Sequence, residues 1–322
     1  MDNQFLKESG VTFPIIGGPM YPCSNPELVA AISEAGALGI VQPLTLAYVE
    51  GYDFREGLRY IRTLTHKPIG MNVLIEKSSK KYEEKMQRWI EIALEEGIRF
   101  FITSLGKPDW VVKKVHPFGA KVYHDVTNVH WAEIAVDSGV DGFVAVNNRA
   151  GGHTGEASLE TLIQKLQIYG LPVVCAGGIS EREGFEKALS LGYSAVQMGT
   201  RFIATQECKA SDDYKQAIVD AQERDIVLTE KITGVPVSVI NTSNIKKRGL
   251  LPGTIAQWFL SHPKFKHLMR MFYVLRSLKS LKKGMKAKKA EAQFWQAGKS
   301  VSGVKKIKRV EEVIQELSSS LR

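Results

Sequence analysis

Cysteine is scarce in this sequence. The 322 residues include three cysteines, Cys23, Cys175 and Cys208, which are widely spaced and form no CxxC pair. An odd number of dispersed cysteines argues against a disulfide framework and against a structural zinc site. Long apolar runs are also missing: nothing approaches the roughly 18 apolar residues of a membrane-spanning helix. The start MDNQFLKESG has no signal-peptide pattern, so we expect a cytoplasmic protein without a membrane span.

Acidic residues are almost absent from one segment. Between Lys246 and Arg309 there are eighteen Lys and Arg but one acid, Glu291, so this segment carries a net charge of +17. The rest of the chain then carries −8, because the whole chain carries +9. The pI of 9.3 therefore reflects one basic segment attached to a mildly acidic body. Stacking aromatics are few and no nucleic-acid-binding module is recognisable, so we expect no nucleic-acid partner.

Short apolar runs alternate with longer segments of helical period from about residue 13 to about residue 203. Eight runs predict strands: FPIIGG (13–18), LGIVQ (38–42), PIGMNVL (68–74), FFITS (100–104), KVYHDV (121–126), GFVAV (142–146), PVVCAG (172–177) and AVQMG (195–199). Helices are predicted between them, among others at 25–35, 82–96, 131–138, 159–169 and 181–191. Eight βα units with such apolar strands favour an α/β fold, the (β/α)₈ TIM barrel. A doubly wound sheet is the alternative, but GGPMYP (17–22) is not its GxGxxG turn.

The strand count also divides the chain. The last helix of the barrel is predicted at 310–317, so residues 1–203 and 310–322 form the barrel and residues 204–309 an insertion or lid. Within the insertion, apolar residues recur at three- and four-residue steps between 265 and 281 with cations among them, which predicts an amphipathic helix. This helix could cover the barrel, lie on an anionic membrane surface, or dock an acidic partner such as acyl carrier protein. The run KKGMKAKK (282–289) is interpreted as a loop.

Glycine-containing loops follow the last two predicted strands. They contain Gly177-Gly178 and, in Met198-Gly199-Thr200-Arg201, Gly199 with its threonine. TIM barrels commonly hold phosphate after strands seven and eight, where glycine lets backbone N–H groups approach the ligand. The two segments therefore predict a phosphate-bearing ligand.

Polar side chains occur after other strands. His153 stands between glycine pairs after strand six, where an imidazole suits proton transfer, although a loop-capping role is the alternative. His124-Asp125 ends strand five and is equally compatible with a structural role. Asn72, on strand three, could bind a flat heterocycle or satisfy nearby backbone groups. Met20, in Gly18-Pro19-Met20, could lie against an aromatic ring or pack in the core.

Together these segments resemble the signature segments of the nitronate monooxygenase (2-nitropropane dioxygenase) family. The resemblance spans about residues 11 to 240 and is carried by GGPM (17–20), AGGHTG (150–155), AGGI (176–179) and QMGTRF (197–202). Flavin-dependent enoyl-ACP reductases share the same barrel and the same motifs. The resemblance is therefore more specific for the family than for the reaction.

The resemblance implies an FMN-binding barrel. The flavin ring would lie against Gly18, Pro19 and Met20, with Asn72 at its polar edge, and His153 aligns with the family's catalytic histidine. The glycine-rich loops would supply the remaining cofactor contacts: Gly151, Gly152, Ala176, Gly177, Gly178, Gly199 and Thr200.

The implied function is an FMN-dependent oxidoreductase that oxidises a nitronate or another small anionic substrate with O₂. One alternative is an NAD(P)H-dependent enoyl-ACP reductase, whose acidic carrier would suit the basic insertion. Another is a catalytically altered flavin-binding or membrane-peripheral protein. Assembly into a homo-oligomer is left open.

The loop ahead of AGGH departs from the family pattern. Gln or Glu, Gly and a second Glu usually precede it, where Val146, Asn147, Asn148 and Arg149 stand here. An arginine in place of an acid reverses the charge beside the predicted substrate pocket, which favours an anionic substrate. Arg149 and His124 are accordingly predicted to contact substrate.

Overall fold

A computed structural model describes residues 3–76, 80–231, 236–251, 280–286 and 294–321. Eight parallel strands form a closed barrel, which confirms the predicted TIM-barrel fold. In order around the barrel they are β1 (Ile15–Gly17), β2 (Leu38–Val41), β3 (Ile69–Ile75), β4 (Phe100–Leu105), β5 (Lys121–Val126), β6 (Gly142–Val146), β8 (Val173–Ala176) and β9 (Ala195–Met198). Strand β7 (Gly152–His153) is not part of the barrel and belongs to a second sheet.

Helices follow the strands as the apolar periodicity predicts. They are α1 (Gln4–Ser9), α2 (Pro26–Glu34), α3 (Phe54–Leu64), α4 (Lys80–Glu95), α5 (Asp109–Val115), α6 (Val129–Asp137), α7 (Leu159–Leu166), α8 (Arg182–Ser190), α9 (Thr200–Ile203), α10 (Asp212–Asp220), α11 (Ser243–Arg248) and α12 (Val310–Ser318). A five-residue π-helix (Thr45–Val49) follows β2. Gly139 and Gly192, just past α6 and α8, have φ of 80° and 101°, values that glycine adopts without the strain of a Cβ.

Helix α1 closes the amino-terminal end of the barrel. Its Phe5 is fully buried and packs edge-on against Phe100 and Tyr123, with ring centroids 5.8 and 6.1 Å apart. The Tyr123 hydroxyl donates to Glu8 Oε2 at 2.8 Å. These contacts join α1 to the apolar interior of the barrel, so the opposite end, where the strands finish, is the open one. We call that end the mouth.

A second apolar layer lies between the strands and the surrounding helices. Helix α12, at the end of the chain, packs against α2 and α8 and completes the helical ring. The two ends of the predicted insertion lie side by side there, since Gln206 N donates to Lys308 O at 3.0 Å. This proximity suits an insertion between β9 and α12, and the domain boundaries stay a prediction.

The predicted insertion contributes a small antiparallel sheet. Strands β10 (Ile226–Thr229) and β11 (Val237–Ile240) pair with each other, and β11 also pairs with β7 from the loop after β6.

The basic part of the predicted insertion is only partly described. Residues 280–286 are helical, so the predicted loop at 282–289 is wrong for its first five residues. The predicted amphipathic helix lies mostly outside the described residues. Within the described ranges, no helix combines the length and apolar character needed to cross a bilayer, and the cytoplasmic location stays a prediction.

The packing of α1 can be tested by shortening Phe5. We expect Phe5→Ala to lower the free energy of unfolding by about 3–5 kcal/mol, because it removes a fully buried ring from the closed end of the barrel. Chemical denaturation measures the change. Phe118→Ala is the control, since Phe118 is 56% exposed, and an equal loss in both variants would contradict the role of α1.

Candidate active site

The top interior layer of the barrel faces the mouth. Inside a TIM barrel, each layer of four side chains comes from alternate strands. Ile16, Tyr123 and Val174 belong to the interior cluster, and a Cβ on Gly70 would point into the same cluster, 2.6 Å from Ile40. Side chains two residues further along a strand lie on the same face. The next layer is therefore made by Gly18, Asn72, Asp125 and Ala176.

Three buried oxygens near this layer have no hydrogen-bond partner. They are Asn72 Oδ1, Asp125 Oδ1 and Gln197 Oε1. Each unsatisfied buried polar group costs about 1–3 kcal/mol. Three such groups converging at one end of a barrel indicate a polar ligand that would satisfy them.

The loops after the first and last strands meet beside Gln197. A Cβ on Gly18 would lie 2.9 Å from Gln197 Cγ, and a Cβ on Gly199 would lie 3.3 Å from Met20 Sδ. The Met20 amide donates to Ser24 Oγ at 2.8 Å, which fixes the turn. Glycine at position 18 thus lets the chain approach the Gln197 side chain, and glycine at position 199 lets it approach Met20.

Gly177 occupies the most restricted position in the predicted phosphate loop. Its φ is 118°, and a Cβ there would lie 2.5 Å from Asn147 Oδ1 and 2.6 Å from Ala150 N. The fully buried Asn147 amide donates to Gly177 O at 2.9 Å. The loops after β6 and β8 therefore approach each other at backbone distance, which only glycine allows.

The insertion reaches the same phosphate loop. Gly298 N donates to Thr200 Oγ1 at 2.9 Å, and a Cβ on Gly151 would lie 2.9 Å from Gly298 N. Lys299 N donates to Arg149 O at 2.9 Å. A segment far along the chain therefore forms one wall of the predicted site.

His153 lies in β7, on the loop after β6. Its backbone pairs with Val237 of β11, so the insertion holds this loop in place. The residue is open to solvent on one side, while the protein around its other sides lowers the imidazole pKa from 6.5 by desolvation. His153 is therefore neutral near pH 7 and can accept a proton.

The structure pairs Arg149 with an acid. Its guanidinium forms a two-pronged ion pair with Glu223, with N–O distances of 2.9 and 2.8 Å. Lys299 Nζ lies 3.7 Å from the same carboxylate. Glu223 therefore engages the guanidinium, while the cluster of two cations and one carboxylate keeps a net positive charge. Contact between Arg149 and substrate stays a prediction.

The structure corrects the position of His124. Its side chain shares a face of β5 with Val122 and Val126, which pack against the outer helices. Its Nδ1 lies 2.8 Å from Thr103 Oγ1, and burial lowers its pKa to about 4. His124 therefore points away from the mouth, and its neighbour Asp125 takes the inward position.

The predicted cofactor residues thus come together at one end of the barrel. Gly18, Asn72 and Ala176 lie in its top layer, and Met20 lies beside Gly199. Gly151 approaches Thr200, and Gly177 approaches Ala150 of the same loop as Gly151. Buried oxygens without partners and a cradle that a Cβ would fill are what a ring with a phosphate requires.

Comparison with known proteins decides the family. The sequence profile described as nitronate monooxygenase matches residues 3–320. The chain belongs to the nitronate monooxygenase family. Proteins of this family are flavoproteins, and the chain is a flavin-dependent oxidoreductase.

Individual relatives of this family member cover most of its length. A probable nitronate monooxygenase of Staphylococcus saprophyticus is 30% identical, covering 74% of this chain and 78% of that protein. The (3aS,4S,5R,7aS)-5-hydroxy-7a-methyl-1-oxo-octahydro-1H-indene-4-carboxyl-CoA dehydrogenase of Rhodococcus jostii is 29% identical, covering 77% and 69%. The structure of FabK from Thermotoga maritima superimposes with a TM-score of 0.81 at 26% identity, covering 100% and 97%.

Four site residues of this nitronate monooxygenase family member were not assigned roles from the sequence. Gln197 stands two residues before Gly199 on the same strand face, so alternation along β9 could have found it. Asp125 could have been separated from His124 in the same way. Glu223 and Gly298 come from the insertion, and no local pattern signals their approach to the loops.

The phosphate loop can be tested at Gly177. We expect Gly177→Ala to lower the affinity for flavin about tenfold or more, because strain at positive φ and the contact with Asn147 together exceed roughly 1.4 kcal/mol. Flavin titration of the stripped protein measures the affinity. Gly170→Ala is the matched control, since Gly170 has φ of 68° and no atom within 4 Å of its Cβ position. Equal flavin loss in both variants would contradict the role of the loop.

The pairing of Arg149 with Glu223 can be tested by a double-mutant cycle. We expect the swap of Arg149→Glu with Glu223→Arg to recover stability lost in each single variant, with a coupling of about 0.5–1 kcal/mol for this partly exposed pair. The exposed Arg182–Glu186 pair on α8 is the control and should couple more weakly. Absence of coupling between Arg149 and Glu223 would leave the arginine available to substrate.

Proposed function

We propose that this chain is an FMN-dependent nitronate monooxygenase that oxidises a small nitronate or similar anion with O₂. The observation that carries the proposal is the set of unsatisfied oxygens of Asn72, Asp125 and Gln197 beside the glycine cradle. Membership of the nitronate monooxygenase family supports the reaction class.

FMN suits the cradle because it carries one phosphate. The loop after β6 adjoins both glycine loops, since a Cβ on Gly177 would lie 2.6 Å from Ala150 N and a Cβ on Gly151 would lie 3.4 Å from Thr200 Oγ1. Backbone N–H groups of Gly177, Gly178, Gly199 and Thr200 would bind that phosphate. Gly18 and Met20 would lie against the ring, and Asn72 would bind its polar edge. When bound, the flavin supplies the electron acceptance that protein side chains do not offer.

His153 is the proposed acid–base group. Its neutral imidazole can donate a hydrogen bond to the anionic oxygen of a nitronate, or accept a proton from a substrate that reaches the site un-ionised. The pairing of β7 with β11 limits its movement relative to the phosphate loop. The chain's own residues would thus bind the phosphate, hold the ring and move the proton.

A second candidate is an enoyl-thioester reductase or dehydrogenase on the same flavin site. The observation favouring it is the Rhodococcus jostii relative, whose name states that it is a carboxyl-CoA dehydrogenase. The basic insertion would suit an acidic carrier or a coenzyme phosphate. This candidate shares the cofactor and differs in the electron donor.

Anaerobic stopped-flow reduction of the bound flavin separates the two candidates. The holoprotein is mixed with propionate 3-nitronate in one experiment and with NADPH in another, and flavin absorbance is followed. We expect rapid reduction by the nitronate alone. Rapid reduction by NADPH with no response to the nitronate would transfer the assignment to the reductase.

His153→Ala tests the acid–base role. We expect the variant to retain its flavin and to lose turnover by about 10²–10⁴-fold, the usual contribution of a positioned proton acceptor. In the wild type, kcat/KM should fall on the acid side with an apparent pKa below 6.5, because the imidazole must be neutral and its pKa is lowered. The exposed His130 on α6 supplies the control His130→Ala. Full activity in His153→Ala would remove His153 from the mechanism.

A further inference from the structure

Asp125 is the fourth member of the top layer. The other three members, Gly18, Asn72 and Ala176, are the ones assigned to the flavin. Asp125 stands two residues after the inward-facing Tyr123, and its neighbour His124 points outward. The same geometry that brings the three assigned residues to the mouth therefore brings a carboxyl group there.

One oxygen of the half-buried Asp125 carboxyl has no hydrogen-bond partner. This oxygen, Oδ1, is itself buried. Burial raises the pKa of this carboxyl to about 7, and no cation among the described residues opposes the shift. A poorly solvated carboxyl oxygen without a hydrogen bond costs folding free energy, which a bound ligand that contacts it would offset.

We propose that Asp125 contacts the bound flavin ring from the barrel side and controls how readily the ring accepts electrons. This inference rests on the proposed function, because it requires the flavin at the mouth. It adds a residue of β5 to the proposed contacts with the cofactor.

The charge of the Asp125 carboxyl would act on the flavin because the group is poorly solvated. A carboxylate against the ring disfavours the negative charge that reduction brings, because water does not screen the pair. A protonated acid carries no such charge and can donate a hydrogen bond to the ring. The electron affinity of the ring therefore depends on the protonation of Asp125.

Few other charged or titratable groups among the described residues lie near Asp125. The strands on either side of β5 carry uncharged residues at this height: Val144 on β6 is the register partner of Asp125, and Ser104 on β4 follows Thr103, the partner of His124. On β5 itself, Lys121 and Tyr123 are engaged by Asp141 and Glu8 at the closed end. On the loop after β6, Arg149 is paired with Glu223, and His153 is the titratable group at the same rim. The described residues facing Asp125 thus leave its own carboxyl as the main source of negative charge.

The midpoint potential of the bound flavin tests the inference. It is measured for wild-type, Asp125→Asn and Asp137→Asn holoproteins at about pH 5.5 and about pH 8.5, on either side of the Asp125 pKa. Asp137, exposed on α6, is the matched control. We expect Asp125→Asn to shift the potential in the positive direction at the higher pH and to leave it unchanged at the lower pH, while Asp137→Asn changes neither.

The outcomes separate this inference from the proposed function. An Asp125→Asn protein that binds flavin with wild-type potentials at both pH values would overturn the inference alone. A chain that cannot be loaded with FMN would overturn both. If Asp125→Asn does not fold, Asp125→Ser is measured in the same way.

A second readout uses the flavin-free protein. Because the folded-state pKa of Asp125 is raised above its ordinary 3.8 to about 7, the folded state binds the proton more tightly. Wild-type stability should therefore fall as the pH rises between these values, and Asp125→Asn should show a smaller fall. An identical pH profile in the two proteins would place Asp125 in contact with solvent and contradict the inference.

Discussion

Closure of the barrel through the parallel pairing of β1 with β9 is the constraint on which the site depends. Ile16 pairs with Gln197 across this seam, and Gly17 pairs with Met198. Once the register of this seam is set, every other strand is held at one height, and the order of interior layers follows. A shift of β9 by one residue would turn Gln197 outward and bring an apolar neighbour to the mouth in its place. The position of the functional groups is thus a property of the whole ring of strands.

The barrel does not complete the site by itself. The loop after β6 is held by three contacts: the β7–β11 pairing, the ion pair of Glu223 with Arg149, and the Lys299 backbone amide, which donates to Arg149 O. All three contacts come from residues of the predicted insertion. The insertion therefore has a structural role beside the flavin loops, whatever the role of its basic stretch, which lies mostly outside the described residues.

Much of the fold could be predicted from the sequence because its signals are local. Apolar strands, helical periods and glycines such as Gly139 and Gly192 report on the residues beside them. His124 and Asp125 show where local information ends, since neighbours on a strand face opposite sides and only the register decides which faces inward. Arg149 and Glu223 are separated by 74 residues, so nothing near the arginine indicates that it is paired with an acid. The loops predicted to bind flavin could be recognised because each is a short contiguous motif, whereas the wall formed by Gly298 is not.

The three-stranded sheet has a consequence for how this enzyme can diversify. Because β7 carries the proposed acid–base group and β11 belongs to the insertion, substitutions along β10 and β11 displace His153 without altering the barrel strands. The barrel strands can stay unchanged around the cofactor while β10 and β11, here called the hairpin, change the position of His153 relative to the substrate. New substrate ranges would then arise by drift in the hairpin, and a chimera that exchanges this hairpin between relatives would exchange selectivity with it.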